Sequence, residues 1–429
     1  MPMRSGEGTT VLVEAALEAE LVATGTELLS GRTVNTHARL LGARLPDIGF
    51  RLRRETTVGD DEADIALAVR DALARVPVVV ISGGLGPTSD DRTREAVAAL
   101  LRRPVQIDEG VLEHLRRLYA ARGRELTALR RRQALVIAGA VILANRAGAA
   151  PGQMLETDDG RLLFLLPGPP SEFRAVLEDE VLPRLQQRYP QARSLPRHVF
   201  QLCGIPEADA AERLNAAGFV AAPLELAWRA APGRLEIRLT GRAGEDALVA
   251  ARAEEIRRTL APYIFAEGME DLPEAVGRLL ESRRATVAVA ESCTGGGIGA
   301  TLTGVPGSSA WFRGGVIAYA NEVKRTLLDV PAELLAREGA VSAAVAEQMA
   351  RAVRIRLGAD YGLAVTGIAG PSGGTAEKPV GLVYIACADR AGCEVQRHHF
   401  PGDRENVRAW SSAYALNLLR LRLLGTTLP

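Results

Sequence analysis

From Glu20 onward the chain alternates short apolar runs, glycine-bearing turns and amphipathic stretches of helical period. The runs 20–24, 50–58, 76–82 and 162–167 predict strands, and the stretches 35–45 and 60–75 predict helices between them. Strand and helix alternating in this way build a largely parallel sheet with helices on both faces, and loops at the carboxyl ends of such strands are where ligands bind. Between about 190 and 265 the pattern changes to a small α+β unit, with strands near 199–205, 224–231 and 235–241 and helices over 206–217 and 245–260. From near Glu270 the α/β pattern resumes: a helix to Arg284, a strand at 285–290, further strands near 314–319, 361–366, 380–387 and 394–400, and a closing helix from Glu405 to Leu424. The expected fold class is α/β, with two three-layer α/β domains joined by a small α+β domain. The expected boundaries are an extension at 1–17 and domains at 18–188, 189–266 and 267–429.

Composition narrows the function. The 429 residues carry 52 Lys plus Arg and 52 Asp plus Glu, so no basic excess draws the chain to nucleic acid or to anionic lipid. Hydrophobic residues are 47% and charged residues 24%, as in a soluble globular protein. No apolar run approaches a membrane span. Cys203, Cys293, Cys387 and Cys393 form no CxxC or zinc spacing, and the start has no apolar run ending in a cleavage site, which points to a cytoplasmic protein. Lys occurs only at Lys324 and Lys378 in a chain that otherwise writes positive charge as Arg. Only Lys readily loses its proton, so both positions are candidates for function.

The turn Glu291-Ser292-Cys293-Thr294-Gly295-Gly296-Gly297 lies where a strand runs into a helix, a geometry that surrounds a side chain with backbone N–H donors. Ser292, Cys293 and Thr294 compete as nucleophile; Ser292 is equally suited to cap a helix, and Cys293 to fill a core. A base for Ser292 comes from His399 or from Lys324. His398-His399 fits an alternating strand with one packed and one exposed ring, so Lys324, at the start of a helix after the polar turn Tyr319-Ala320-Asn321, is preferred. A second glycine-rich loop, Thr366 to Pro371, follows a strand, and Gly402-Asp403-Arg404 opens the last helix; together they suggest a phosphate site with Arg404 as the anion partner. Near the other end, Gly83-Gly84-Leu85-Gly86 runs into Asp90 and Asp91. With Glu27, Asp60 and Glu172 at neighbouring strand ends, these carboxylates fit a divalent metal, although adjacent aspartates are also helix caps. The basic run Arg122, Arg124, Arg130, Arg131 and Arg132 is a solvated face or a diphosphate contact.

These motifs resemble a known family. ESCTGG, VPGSSAWF, YANEVK, GAVS, TGIAGPSGG, EKPVG and PGDR resemble, in order and spacing, the C-terminal domain of the CinA family, and GTELLSGRTVNTHARLL, GGLGPTSDD and LPGPPSEF resemble its molybdopterin-binding-fold domain, over roughly residues 18 to 425. For the C-terminal domain the resemblance implies a nicotinamide mononucleotide deamidase that needs no cofactor. Ser292 would be its nucleophile, Lys324 its base and Thr366 an assisting residue. Arg404 would hold the nucleotide phosphate, and Tyr319, Asn321, Gly295, Gly296 and Gly367 would line the pocket. For the N-terminal domain it implies hydrolysis of ADP-ribose to AMP and ribose 5-phosphate. Gly83, Gly84 and Gly86 would sit at that substrate, and Asp91, Asp90, Asp60, Glu27 and Glu172 would serve a divalent ion (Mg, Mn or Co) with help from K+. Two positions depart from the family: its Asn-Thr-Asn is Asn35-Thr36-His37, and its Lys-Gln is Arg132-Gln133. The middle unit resembles the family's KH-like insert, but its one GxxG, Gly241 to Gly244, joins a strand to a helix and does not predict RNA binding. The expectation is therefore a cytoplasmic, homodimeric, bifunctional enzyme of pyridine-nucleotide salvage. The alternatives are a deamidase with a regulatory nucleotide- or molybdopterin-binding domain, or a competence-associated scaffold without activity.

Overall fold

The structure is a computed structural model, and it describes residues 16–428. Most of the expected extension lies outside the described residues, but Leu17 already belongs to the first strand. The chain divides into two compact units, one ending at Pro196 and the other running from Arg197, with residues 242–245 grouped with the first. Among the described residues no helix is long and apolar enough to cross a membrane.

In the first unit the strands are β1 (Leu17–Thr24), β2 (Phe50–Val58), β3 (Val78–Ser82), β4 (Val105–Ile107), β5 (Leu135–Ile137), β6 (Val141–Leu143), β7 (Gly152–Glu156) and β8 (Leu162–Leu166). Six of them form one sheet in the order β2-β1-β3-β8-β7-β6, while β4 and β5 pair with each other. The four strands read from the sequence, β1, β2, β3 and β8, run parallel. The rest of the sheet is antiparallel. Strands β3 and β8 are buried along their whole length, which is why they are written as unbroken apolar runs. One face packs Leu41, Phe50, Phe164, Phe173 and Val176. The other packs Ile65, Val69, Val79, Ile81 and Val97, which gives the expected three layers. Because Thr24 pairs with Val58, Ala23 with Ser82 and Ser82 with Leu166, the carboxyl ends of all four parallel strands reach the same edge.

The second unit holds β9 (Arg197–Cys203), β10 (Glu225–Ala231), β11 (Arg234–Thr240), β12 (Ile264–Glu267), β13 (Val287–Glu291), β14 (Phe312–Ile317), β15 (Tyr361–Gly367), β16 (Leu382–Ala388) and β17 (Cys393–His399). The first four make an antiparallel sheet in the order β10-β11-β9-β12. The last five make a mixed sheet in the order β14-β13-β15-β16-β17. The helices Leu272–Arg283 and Arg404–Leu424 supply the apolar layer on one face of that sheet. Ala343–Arg356 supplies the layer on the other. The small sheet does not stand apart as a third body: Cys203, Phe265 and Ala266 belong to the same core as Leu272, Val289 and Leu419. Strands β13, β14 and β15 are parallel, with Glu291 opposite Ile317 and Val365, so the turns that follow them share one edge.

Candidate functional site

Strand β13 is fully buried and ends on a carboxylate, Glu291, which is 1% exposed. The turn that follows returns on itself through Gly295 (φ 62) and Gly296 (φ 94), left-handed positions that an L side chain strains. The seven-residue helix Gly297–Thr303 then starts with its free N–H groups aimed back at the strand end. Glu291 occupies them: Oε2 accepts from Gly296 N and Ile298 N at 3.0 Å each, and Oε1 from Gly299 N at 2.8 Å. A carboxylate at a helix start is both hydrogen-bonded and favoured by the helix dipole. This corrects the expectation that Gly295 and Gly296 present donors to a substrate, since Gly295 N donates to Ser292 O and Gly296 N to Glu291. The two glycines shape the loop.

The turn leaves one hydroxyl in place to react. Ser292 N donates to Val365 O at 3.0 Å, fixing the serine against β15. Ser292 is 8% exposed. Cys293 is buried, and desolvation pushes its thiol up to about 11. Thr294 is fully buried and its hydroxyl has no hydrogen-bond partner. Lys324, the fourth residue of the helix Asn321–Leu328, is 1% exposed and donates from Nζ to Ser292 Oγ at 3.0 Å, to Ala318 O at 2.6 Å and to Tyr319 O at 3.2 Å. Burial lowers the pKa of this ammonium below its ordinary 10.5, against a smaller opposing effect of the Cys293 thiol. No histidine reaches Ser292. His398 stacks on Phe400 and faces Tyr414, while His399 is exposed, the packed and exposed pair expected of that strand.

Around this pair the remaining expected residues fall into place unequally. Arg404 donates to Gly370 O at 2.9 Å and to Tyr319 Oη at 3.1 Å, tying the second glycine loop to the polar turn while staying exposed. Tyr319 and Asn321 are both exposed. Thr366 is buried, but its hydroxyl donates to Ala340 O at 2.8 Å, with no hydrogen bond to Ser292 or Lys324. Gly367 is required by packing, because a Cβ there would come within 2.7 Å of the Val383 side chain and 2.9 Å of Leu382 O. Lys378 has a different task from Lys324: its ammonium donates to Glu338 O and to Val341 O (2.8 Å), clamping the glycine loop to the segment that receives Thr366.

Three further residues were not read from the sequence. The signal for Glu291 in the sequence is a carboxylate closing an otherwise apolar strand. Arg408, one turn after Arg404, donates from Nε (3.3 Å) and Nη2 (2.9 Å) to Thr294 O, and so braces the turn that carries Ser292. His37 belongs to the first unit and was noted only as a departure.

There, Glu27, Asp60, Asp90, Asp91 and Glu172 do line one cavity of about 540 Å³, together with Gly83, Gly84 and Gly86. They do not converge. Among the described residues no three His, Cys, Asp or Glu side chains gather as a metal-ligand set. Asp91 accepts Gly86 N (2.7 Å), Thr88 N (2.8 Å) and Thr88 Oγ1 (2.6 Å); Asp60 accepts Thr26 N (3.0 Å) and Thr26 Oγ1 (2.7 Å); Glu172 accepts Asn145 Nδ2 (2.6 Å). The expected divalent site is therefore not a ready-made cage: three of the five carboxylates hold loops in shape. Nor do the aspartates cap a helix, since Thr93–Leu101 starts after Arg92 with no side-chain cap. Gly86 N is spent on Asp91, and Gly83 and Gly84 are needed for close approach to Thr24 O and to Thr93. No Lys or Arg lines the cavity, so the basic run makes no contact there. Instead Arg130 lies over the Tyr119 ring and Arg132 pairs with Glu95.

Comparison with known proteins agrees with this division. Residues 269–423 match the family described as CinA C-terminal domain, and residues 20–187 match the probable molybdopterin binding domain. A CinA-like protein of Gemmatimonas aurantiaca is 42% identical over 411 residues, covering 94% of this chain and 96% of the relative. A CinA-like protein of Geobacter sulfurreducens is 42% identical over 404 residues, covering 93% and 98%. The crystal structure of the protein CinA with unknown function from Thermoplasma acidophilum is 37% identical, covers 38% of this chain and 96% of its own, and aligns with a TM-score of 0.36. With relatives 42% identical over nearly the full length of both chains, the chain belongs to the CinA family.

Proposed function

We propose that the second unit hydrolyses the carboxamide of nicotinamide mononucleotide, giving nicotinic acid mononucleotide and ammonia. The observation that carries this reading is the set of three acceptors around Lys324 Nζ. A neutral amine has two N–H donors and one lone pair. Ala318 O and Tyr319 O take the two donors, and the lone pair is left facing the Ser292 hydroxyl. Burial favours that neutral form. Ser292 O–H then gives its proton to Nζ as Oγ attacks the carboxamide carbon. The N–H of Cys293, which has no backbone acceptor, is the donor in the turn for the oxyanion. Lys324 returns the proton to the departing nitrogen, ammonia leaves, and a seryl ester remains. Water attacks the ester with Lys324 again taking the proton, and Ser292 is restored as the acid departs. Arg404, fixed between Gly370 O and Tyr319 Oη, is the cation at the mouth of the site for the nucleotide phosphate. Release of ammonia from the mononucleotide by the whole protein, with Ser292→Ala as the control, tests the reading.

The cavity of the first unit supports a second activity, the cleavage of ADP-ribose to AMP and ribose 5-phosphate. It lies at the carboxyl ends of four parallel strands, where nucleotides are held in such sheets. Its wall of carboxylates without Lys or Arg repels a bare diphosphate, so the substrate is taken as its divalent-metal complex. Measurement of AMP formed from ADP-ribose with and without magnesium checks this. A joint role of the two activities is the salvage of pyridine nucleotides.

A further inference from the structure

Gln133 lines the cavity of the first unit and is 9% exposed. It sits in the turn Arg132–Ala134, which is held in place because Ala134 packs in one apolar cluster with Tyr119 and accepts the Asp108 N–H at 2.9 Å. The side chain is bonded at one end only. Its Oε1 accepts from Tyr119 Oη at 2.9 Å. Tyr119 is 8% exposed, lies off the cavity wall and carries Arg130 4.9 Å above its ring. The two hydrogens on Gln133 Nε2 have no acceptor among the described residues. That atom is not sealed from solvent, since the buried side-chain nitrogens left without a partner there belong to His37 and to five arginines. With Oε1 turned away to Tyr119, the open side of the amide is the side that meets the cavity.

The hydrogen-bond inventory disfavours the opposite orientation of the amide. The Tyr119 hydroxyl hydrogen has one acceptor, Gln133 Oε1. Turning the amide over would strand that hydrogen, and it would point a carbonyl oxygen into a cavity that holds five carboxylates and no basic side chain. An amide nitrogen offers hydrogens and no lone pair, so what it meets in the cavity must accept. Ribose hydroxyls and base edges both donate and accept, whereas ionised phosphate oxygens only accept. A donor-only group therefore matches the phosphates best.

We propose that Gln133 is a ligand-contacting residue whose Nε2 donates to a phosphate oxygen of a nucleoside diphosphate in this cavity, with Tyr119 as the positioning residue that aims it. The inference rests on the diphosphate reading of the cavity and deepens it by naming a phosphate contact on a wall that holds no cation.

Two measurements on the full chain test it. Calorimetric titration with the uncleaved α,β-methylene analogue of ADP-ribose and magnesium is expected to show about tenfold weaker binding in Gln133→Met, which keeps the length of the side chain but offers no donor. Tyr119→Phe, which frees the amide but keeps its donors, is expected to lose less. A purely structural role predicts another pattern: both variants unfold earlier in urea, yet when folded they bind as the wild type does. Equal affinity of wild type and folded Gln133→Met overturns the proposal. Proton–nitrogen NMR of the wild type needs no variant to fold: the Gln133 side-chain amide signals are expected to move when the analogue is added, and signals that stay in place while the analogue binds overturn the contact. If the wild type does not bind the analogue, the contact and the diphosphate reading fall together. If the analogue binds through Gln133 while ADP-ribose is not cleaved, the hydrolase reading fails alone and the contact stands.

Discussion

Lys324 Nζ lies 3.0 Å from Ser292 Oγ while its other two hydrogen-bonding directions end on Ala318 O and Tyr319 O. Both carbonyls belong to the turn just before the lysine's own helix. The amine therefore cannot swing away without leaving buried acceptors unpaired. Lys324→Arg keeps the positive charge but removes the base, because a guanidinium stays protonated near neutral pH. The expected result is a fall in kcat for ammonia release of about a thousandfold, within the range for loss of a positioned general base. Steady-state kinetics on the mononucleotide read it directly.

The lowered pKa of Lys324 has two consequences of known sign. Activity is expected to rise with pH as the amine loses its proton, with an inflection below the ordinary 10.5. Stability also depends on this group. Its folded pKa lies below the unfolded one, so the unfolded chain binds the proton more tightly between the two values, and the cost of burying the amine disappears as pH climbs through that window toward 10.5. Relative to Lys324→Met, the wild type should gain stability with rising alkaline pH, as urea melts at several pH values would record.

Glu291 holds the nucleophile turn by accepting three backbone N–H groups with no ion-pair partner. Glu291→Gln keeps the shape but offers a single acceptor oxygen and loses the charge. A loss of about 1–3 kcal/mol of stability follows from N–H groups left short of an acceptor. Denaturant unfolding measures it, and a parallel drop in kcat is expected because Ser292 rides on the same turn.

Arg404 touches no reacting atom in this account, so its removal should weaken substrate binding more than chemistry. Arg404→Ala is expected to raise KM for the mononucleotide about tenfold or more, the scale of a charge-assisted hydrogen bond, with a smaller change in kcat. Nicotinamide riboside, which lacks the phosphate, should be nearly indifferent to the same change. Kinetics with both substrates separate the two effects.

Much of this was legible in the sequence because it was written locally. The apolar runs of β3 and β8 gave buried parallel strands, and two lysines among arginines marked Lys324 and Lys378. The contact between Ser292 and Lys324 was legible because a serine after a strand and a lysine at a helix start are both positioned by the backbone. Side-chain loyalties were not legible. Asp91 and Asp60 read as metal ligands by type and place, yet they fold back on Gly86, Thr88 and Thr26, a choice made by loop geometry that no spacing encodes. Thr366 was placed at the right strand end, but it turns toward Ala340, 26 residues earlier in the chain. Strands β6 and β7 were not legible: β6 has only three residues, and β7, Gly152–Glu156, lacks the unbroken apolar run that marks the equally short β3 and β8.

Whether Ser292 is the nucleophile of an amide hydrolase is decided by ammonia release from nicotinamide mononucleotide without added metal. The wild type is expected to release ammonia, and Ser292→Ala, folded as the wild type is, to release none. Undiminished release by Ser292→Ala, or none from the wild type, would contradict it.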